Sequence, residues 1–266
     1  MKGSAIVVAT LTLGLAACAT QPQGQNTGAQ NQPAQQNPAA TAQMQQNQQA
    51  LIDAQRAEDQ QEENARLKQA KGEQEKAIHL GLVKKMIDQN NGYAALAHLD
   101  SYDKKWGADL KSRLLRADAL RKTGQYDQAE QAYQSLLGSG DDQGQVWYGL
   151  GKISIEKGKL NAAEVRLEKA VQIDPLKIDA YTDLGLVYLL DGKKDLSYNA
   201  LMKASELSNQ DPKILANLAL WGLVFNDLDM STDIANRLQW SDITRNKVMA
   251  QANTIKRRLK VQGDPQ

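Results

Sequence analysis

The chain of 266 residues has one cysteine, Cys18, one phenylalanine, Phe225, and six prolines. A lone cysteine excludes an internal disulfide framework and a cysteine-built zinc cluster. Charge is missing at the start: between Gly3 and Ile52 there is no charged residue and no histidine. Aromatics are missing outside the stretch from Tyr93 to Trp240, which holds all 13. The core is therefore sought in about the last 200 residues, enough for one substantial core or one repeat array. Neither sign of charge dominates: 32 Lys plus Arg face 31 Asp plus Glu. That balance gives no global case for nucleic acid, which needs a basic face against its phosphates. The two histidines, His79 and His98, are not at a metal-ligand spacing and read as helix-surface or packing residues. No G-x-S-x-G and no P-loop is present, so no catalytic residue, metal or cofactor is expected, and no small-molecule substrate.

What is there begins with Lys2 and the apolar run from Ala5 to Ala17. The run is short of the ~20 apolar residues that cross a bilayer. It reads as a signal peptide over residues 1–17. The run ends Leu15-Ala16-Ala17-Cys18, which resembles the lipobox of bacterial lipoproteins. That resemblance implies a covalent lipid on Cys18. Ala19, where an Asp would favour inner-membrane retention in enterobacteria-like lipoproteins, implies the outer membrane, with the domain at its periplasmic face.

Residues 18–50 are rich in Gln, Asn, Ala and Pro, with Gln 12 times in 21–50. Too few large apolar side chains occur to offset the ordering entropy, so a disordered, lipidated tether is expected, spanning roughly 30 Å. Residues 51–75 are dominated by good helix formers and read as a polar helix.

From Leu110 the sequence repeats every 34 residues. The copy at Gly144 carries Trp147, Leu150-Gly151, Gly158, Ala163, Leu167, Ala170 and Pro175. The copy at Ile178 carries Tyr181, Leu184-Gly185, Gly192, Leu201 and Ala204; a copy at Leu110 has no closing Pro, a weaker one starts at Pro212, and a degenerate first hairpin at about 75–104 would turn at Asn90-Asn91-Gly92. This pattern resembles the tetratricopeptide repeat (TPR). The expected fold is all-α: a solenoid of about 4–5 helical hairpins over residues 76–240, then a capping helix over 241–260. Gly124, Gly158 and Gly192 fall at the turns within each hairpin. Asp142, with Gln145 three residues on, suits a capping box.

In that family the first helix of each hairpin lines a groove. The resemblance places Leu114, Asp118, Arg121, Tyr148, Lys152, Ile155, Leu186, Leu189 and Leu220 there. The groove would run from charged to apolar, unless its last leucines are covered by the capping helix. That helix bears Arg245, Lys247, Lys256, Arg257, Arg258 and Lys260. Arg245, Lys256, Arg257 and Arg258 read either as a soluble face or as a patch for an acidic partner or lipid headgroups.

A lipobox, a long linker and a few repeats together resemble the Tad/Flp pilus-assembly lipoproteins (TadD-like), and next the type IV pilotins. These resemblances imply an adaptor for a protein partner such as a secretin or another outer-membrane pilus subunit. A scaffold for peptidoglycan-remodelling enzymes, resembling NlpI-type lipoproteins, is the alternative, with a structural envelope lipoprotein as a further one.

Overall fold

The computed structural model describes residues 38–140 and 142–263. The expected signal peptide, Cys18 and the first part of the tether lie outside them. The described residues are all-helical: α1 (Pro38–Asp88), α2 (Gly92–Trp106), α3 (Leu110–Lys122), α4 (Tyr126–Gln134), α5 (Gln143–Glu156), α6 (Leu160–Ile173), α7 (Ile178–Leu190), α8 (Lys194–Leu207), α9 (Pro212–Phe225), α10 (Leu228–Arg237) and α11 (Asp242–Gly263). The chain divides into two compact units between Glu63 and Asn64.

In the first unit the described part is helical from Pro38, so residues 38–50 are helix where a tether was expected. Pro fits the first helical position, where its missing N–H is no loss. No Pro or Gly then follows until Gly72, and Ala and Gln dominate. The low apolar content that argued for disorder forbids a core but not a helix. Met44, Leu51 and Ile52 are accordingly exposed.

The second unit starts with the end of α1. Leu80, Val83 and Ile87 pack on Ala95, Leu99 and Tyr102 of α2 and form the first hairpin core. His79 lies against the rings of His98, Tyr102 and Trp106, with its Nε2 3.0 Å from the His98 carbonyl oxygen. Four further hairpins follow, whose first helices open at Leu110, Gln143, Ile178 and Pro212, close to the sequence period. Pro212 occupies the first turn of α9, and the Asp211 carboxylate accepts the Lys213 N–H at 2.7 Å. At α5 the expected capping box is absent. The Gln143 side chain instead accepts the Gly138 N–H and donates to the Leu136 carbonyl, closing the Gly-rich loop.

Close approach of the paired helices is the recurring device. A Cβ on Gly151 would lie 2.7 Å from Leu167, and one on Gly185 2.7 Å from Leu201. Ser197 donates its hydroxyl to the Gly185 carbonyl at 2.7 Å, and Ser231 donates to Ala219 at 2.7 Å, 34 residues on. In these two hairpins the buried hydroxyl ties the second helix to its own first helix. Between hairpins the ties are ionic. Glu130 of α4 accepts Lys157 at 2.7 Å and Arg166 at 2.6 Å. Glu164 of α6 accepts Lys193 at 2.6 Å.

The last helix closes the array. Ala252 and Ile255 of α11 join Leu189, Leu201, Leu215, Leu218, Leu220, Trp221 and Val224 in one core cluster. Val248 and Leu259 pack at its margin. Each leucine so covered contributes about 1.5–3 kcal/mol.

Two measurements probe this packing. Gly81→Ala has open space around it in a helix and should stabilise the protein by about 0.5–1 kcal/mol in urea denaturation. Gly149→Ala meets the Tyr133 ring and should destabilise by about 1–3 kcal/mol. The Glu130 pair sets a pH dependence. The hydrogen bond from Lys157, then the one from Arg166, hold the Glu130 carboxyl below its usual value. A carboxyl depressed by folding stabilises the fold above its unfolded pKa and loses that contribution as pH falls through the folded one. Thermal stability should therefore fall in acid, and Glu130→Gln should flatten that fall.

Candidate functional site

Along α3, Leu114, Asp118 and Arg121 recur at helical spacing, and along α5 Gln145, Tyr148, Lys152 and Glu156 do the same. The two rows face one groove of about 560 Å³. Lys84, Ile87 and Asp88 of α1 also line it, as do Lys177 and Asp179, where α7 begins. A second hollow, about 730 Å³, continues past Lys177 and Asp179 to Thr182, Lys213 and Asn217.

The floor is held by two tyrosine–aspartate bonds. Tyr133 donates its hydroxyl to Asp118 at 2.5 Å, and Gln145 adds a longer bond at 3.5 Å. Tyr148 donates to Asp183 at 3.0 Å, and Lys152 reaches the same carboxylate at 3.0 Å. Burial pushes the Asp118 carboxyl up, against the opposing pull of Tyr133 and Arg121. Burial likewise raises the Tyr148 hydroxyl, helped by the Asp183 charge, so it stays a donor at neutral pH. Arg121 is 9% exposed and joins α3 to α5 by donating to Glu156 at 2.8 Å. Its Nε has no hydrogen-bond partner in this structure. The Lys177 ammonium lies 5.3 Å from the centre of the Tyr148 ring. The result is a rigid floor with alternating cations and anions around one aromatic side chain.

Five of the nine expected groove residues are brought together: Leu114, Asp118, Arg121, Tyr148 and Lys152. Four are not. Ile155 turns into the apolar cluster of Ala163, Leu167 and Val187, and its neighbour Glu156 takes the groove position. Leu189 is fully buried and Leu220 nearly so, both in the core cluster that α11 completes, and Leu186 packs against it. The groove therefore has no apolar end. Sequence reasoning missed Leu115, Lys177 and the contribution of α1. The helical spacing of Lys84, Ile87 and Asp88 before the Asn90-Asn91-Gly92 turn was the available signal. Among the described residues no group of three or more His, Cys, Asp or Glu could hold a metal ion.

Comparison with known proteins agrees with this architecture. A TPR repeat profile matches residues 151–192, and a tetratricopeptide repeat profile matches 110–139 and 178–211. The chain thus carries tetratricopeptide repeats. A thermophilic TPR protein of Thermus thermophilus is similar over 68% of this chain and 98% of its own, at 19% identity and a TM-score of 0.54. A MamA RS-1 double mutant is similar over 62% of this chain and 92% of its own, at 19% identity and a TM-score of 0.50. At such identities the likeness is one of fold.

Removing the Tyr148 hydroxyl leaves Asp183 its lysine, so Tyr148→Phe should cost only about 1 kcal/mol in denaturant melts. Arg121→Ala breaks the α3–α5 tie and should cost more, about 2 kcal/mol.

Proposed function

We propose that this protein is a lipid-anchored envelope adaptor whose groove captures a segment of a protein partner. The observation that carries the reading is the groove between α3 and α5. Its floor is fixed by Tyr133–Asp118 and Tyr148–Asp183, and its rim offers Lys84, Lys122, Lys177 and Asp179. A preorganised floor loses little entropy on binding, and alternating rim charges select register. A partner segment with an aromatic or apolar side chain for Tyr148 and flanking charges of both signs fits this surface.

The lipobox at Cys18 supports attachment to the outer membrane, with the repeats on the periplasmic side. Taken with the sequence resemblance to Tad/Flp pilus lipoproteins, it favours an outer-membrane secretin or pilus subunit as partner. In this scheme the groove holds the subunit while the lipid delivers it to the membrane for assembly.

The test is affinity capture from envelope extract, wild type against Lys122→Glu/Lys152→Glu. The wild type should retrieve a secretin or pilus subunit, and the variant should bind it about tenfold more weakly while keeping its helical spectrum. Retrieval of peptidoglycan hydrolases instead would favour the scaffold reading. Fractionation tests the anchor separately: Cys18→Ala should leave the outer-membrane fraction, and its retention there would defeat that part of the proposal.

A further inference from the structure

The turns within the hairpins share one edge of the second unit with the end of α11. Lys256 donates to Asn226, between α9 and α10, at 2.7 Å. Leu259 lies 3.1 Å from where a Cβ on Gly192 would stand, between α7 and α8. Arg258 lines a hollow with Gly158 and Lys159, between α5 and α6, and with Asp191, which Lys193 pairs at 3.1 Å. Three successive turns thus meet α11 within four residues of its length, 256–259.

This edge is basic. Lys256, Arg257, Arg258 and Lys260 of α11 are joined there by Lys159 and Lys194 of the turns. Three of the six touch neutral groups: Lys256 reaches Asn226, Arg257 reaches Thr254 at 3.3 Å, and Lys194 lies 5.7 Å from the centre of the Trp221 ring. Lys157 and Lys193, from the same turns, differ. Asp127 and Glu130 neutralise the first, and Glu164 and Asp191 the second. The carboxylates of Asp195, Asp227 and Asp229 sit at the N-termini of α8 and α10, where they compensate helix dipoles. Structural pairing therefore uses some cations of this edge and leaves six without a carboxylate among the described residues.

The geometry points to this edge as a surface that rests on the anionic phospholipid headgroups of a membrane. The six cations are carried on one helix and two separate turns, so they spread along an edge and do not converge on one anion. Long side chains with charged tips suit a planar field of phosphates. The choice of a membrane over another polyanion rests on the anchor proposed above. A lipid on Cys18 would keep the domain within reach of headgroups, and a weak second contact then gains from high effective concentration. The contact would hold the repeats in one orientation toward the bilayer.

The test uses the chain without its apolar leader, carrying Cys18→Ala so that no lipid contributes. Co-sedimentation compares neutral vesicles with vesicles holding about 30 mol% phosphatidylglycerol. Binding to the anionic vesicles should be about tenfold tighter and should be lost in high salt. Substituting Lys256, Arg257, Arg258 and Lys260 with Gln should weaken it about tenfold, with the helical spectrum unchanged. Lys104, Lys111, Lys169 and Lys213 changed to Gln remove the same charge elsewhere and should leave binding intact. Equal binding to both vesicles, equal loss in both quadruple variants, or salt-sensitive binding to polyglutamate but not to vesicles would overturn the proposal. None of these outcomes touches the anchor, which the fractionation of Cys18→Ala decides.

Discussion

Gly149 has no room for a methyl group. A Cβ there would lie 2.2 Å from the ring of Tyr133, which is fully buried and hydrogen-bonded through its hydroxyl to Asp118. Much of the structure follows from this kind of close approach. Gly151 lets Leu167 in and Gly185 lets Leu201 in, so each pair of helices comes near enough for its leucines to interlock. In the later hairpins the same nearness brings Ser197 and Ser231 onto carbonyls of the facing helix. At Gly149 the constraint reaches the groove directly, because Asp118 lines it. Packing between α4 and α5 thereby fixes a polar floor that a looser contact would leave mobile.

Charge is partitioned in a matching way. The total is nearly neutral, yet the ion pairs are distributed by task. Glu130 and Glu164 bind the next hairpin to the last. Arg121 and Lys152 fasten the groove floor across α3, α5 and α7. The end of α11 has basic side chains left over. A balanced overall charge thus conceals a mixed groove and an edge with cations in excess of its ion pairs, which suit different partners.

Much of the fold was legible in the sequence because a repeat is a local signal. The 34-residue period, the turn glycines and Asp211-Pro212 each act within a few residues of where they stand. The groove was legible where helix spacing alone decides which side chains share a face, as for Leu114, Asp118, Arg121, Tyr148 and Lys152. It was not legible where a distant element decides. Leu189 and Leu220 occupy groove register, but α11 supplies Ala252 and Ile255 to cover them. Ile155 and Glu156 are adjacent, and the apolar one turned inward to the α6–α7 contact. Gly149 is not marked by the repeat pattern as Leu150-Gly151 is, since its need arises from Tyr133 on another helix. For residues 38–50 low apolar content reports on the absence of a core, while helix propensity decides the helix.

On the proposed function, the α3–α5 groove is the surface on which a protein partner sits. Site-specific photo-crosslinking in living cells tests it most directly. A probe replacing Gln145, in the groove, is compared with one replacing Val165, exposed on α6. One dominant adduct with an envelope protein is expected from position 145 and none from position 165. The same adduct from both positions, or from position 165 alone, would contradict it.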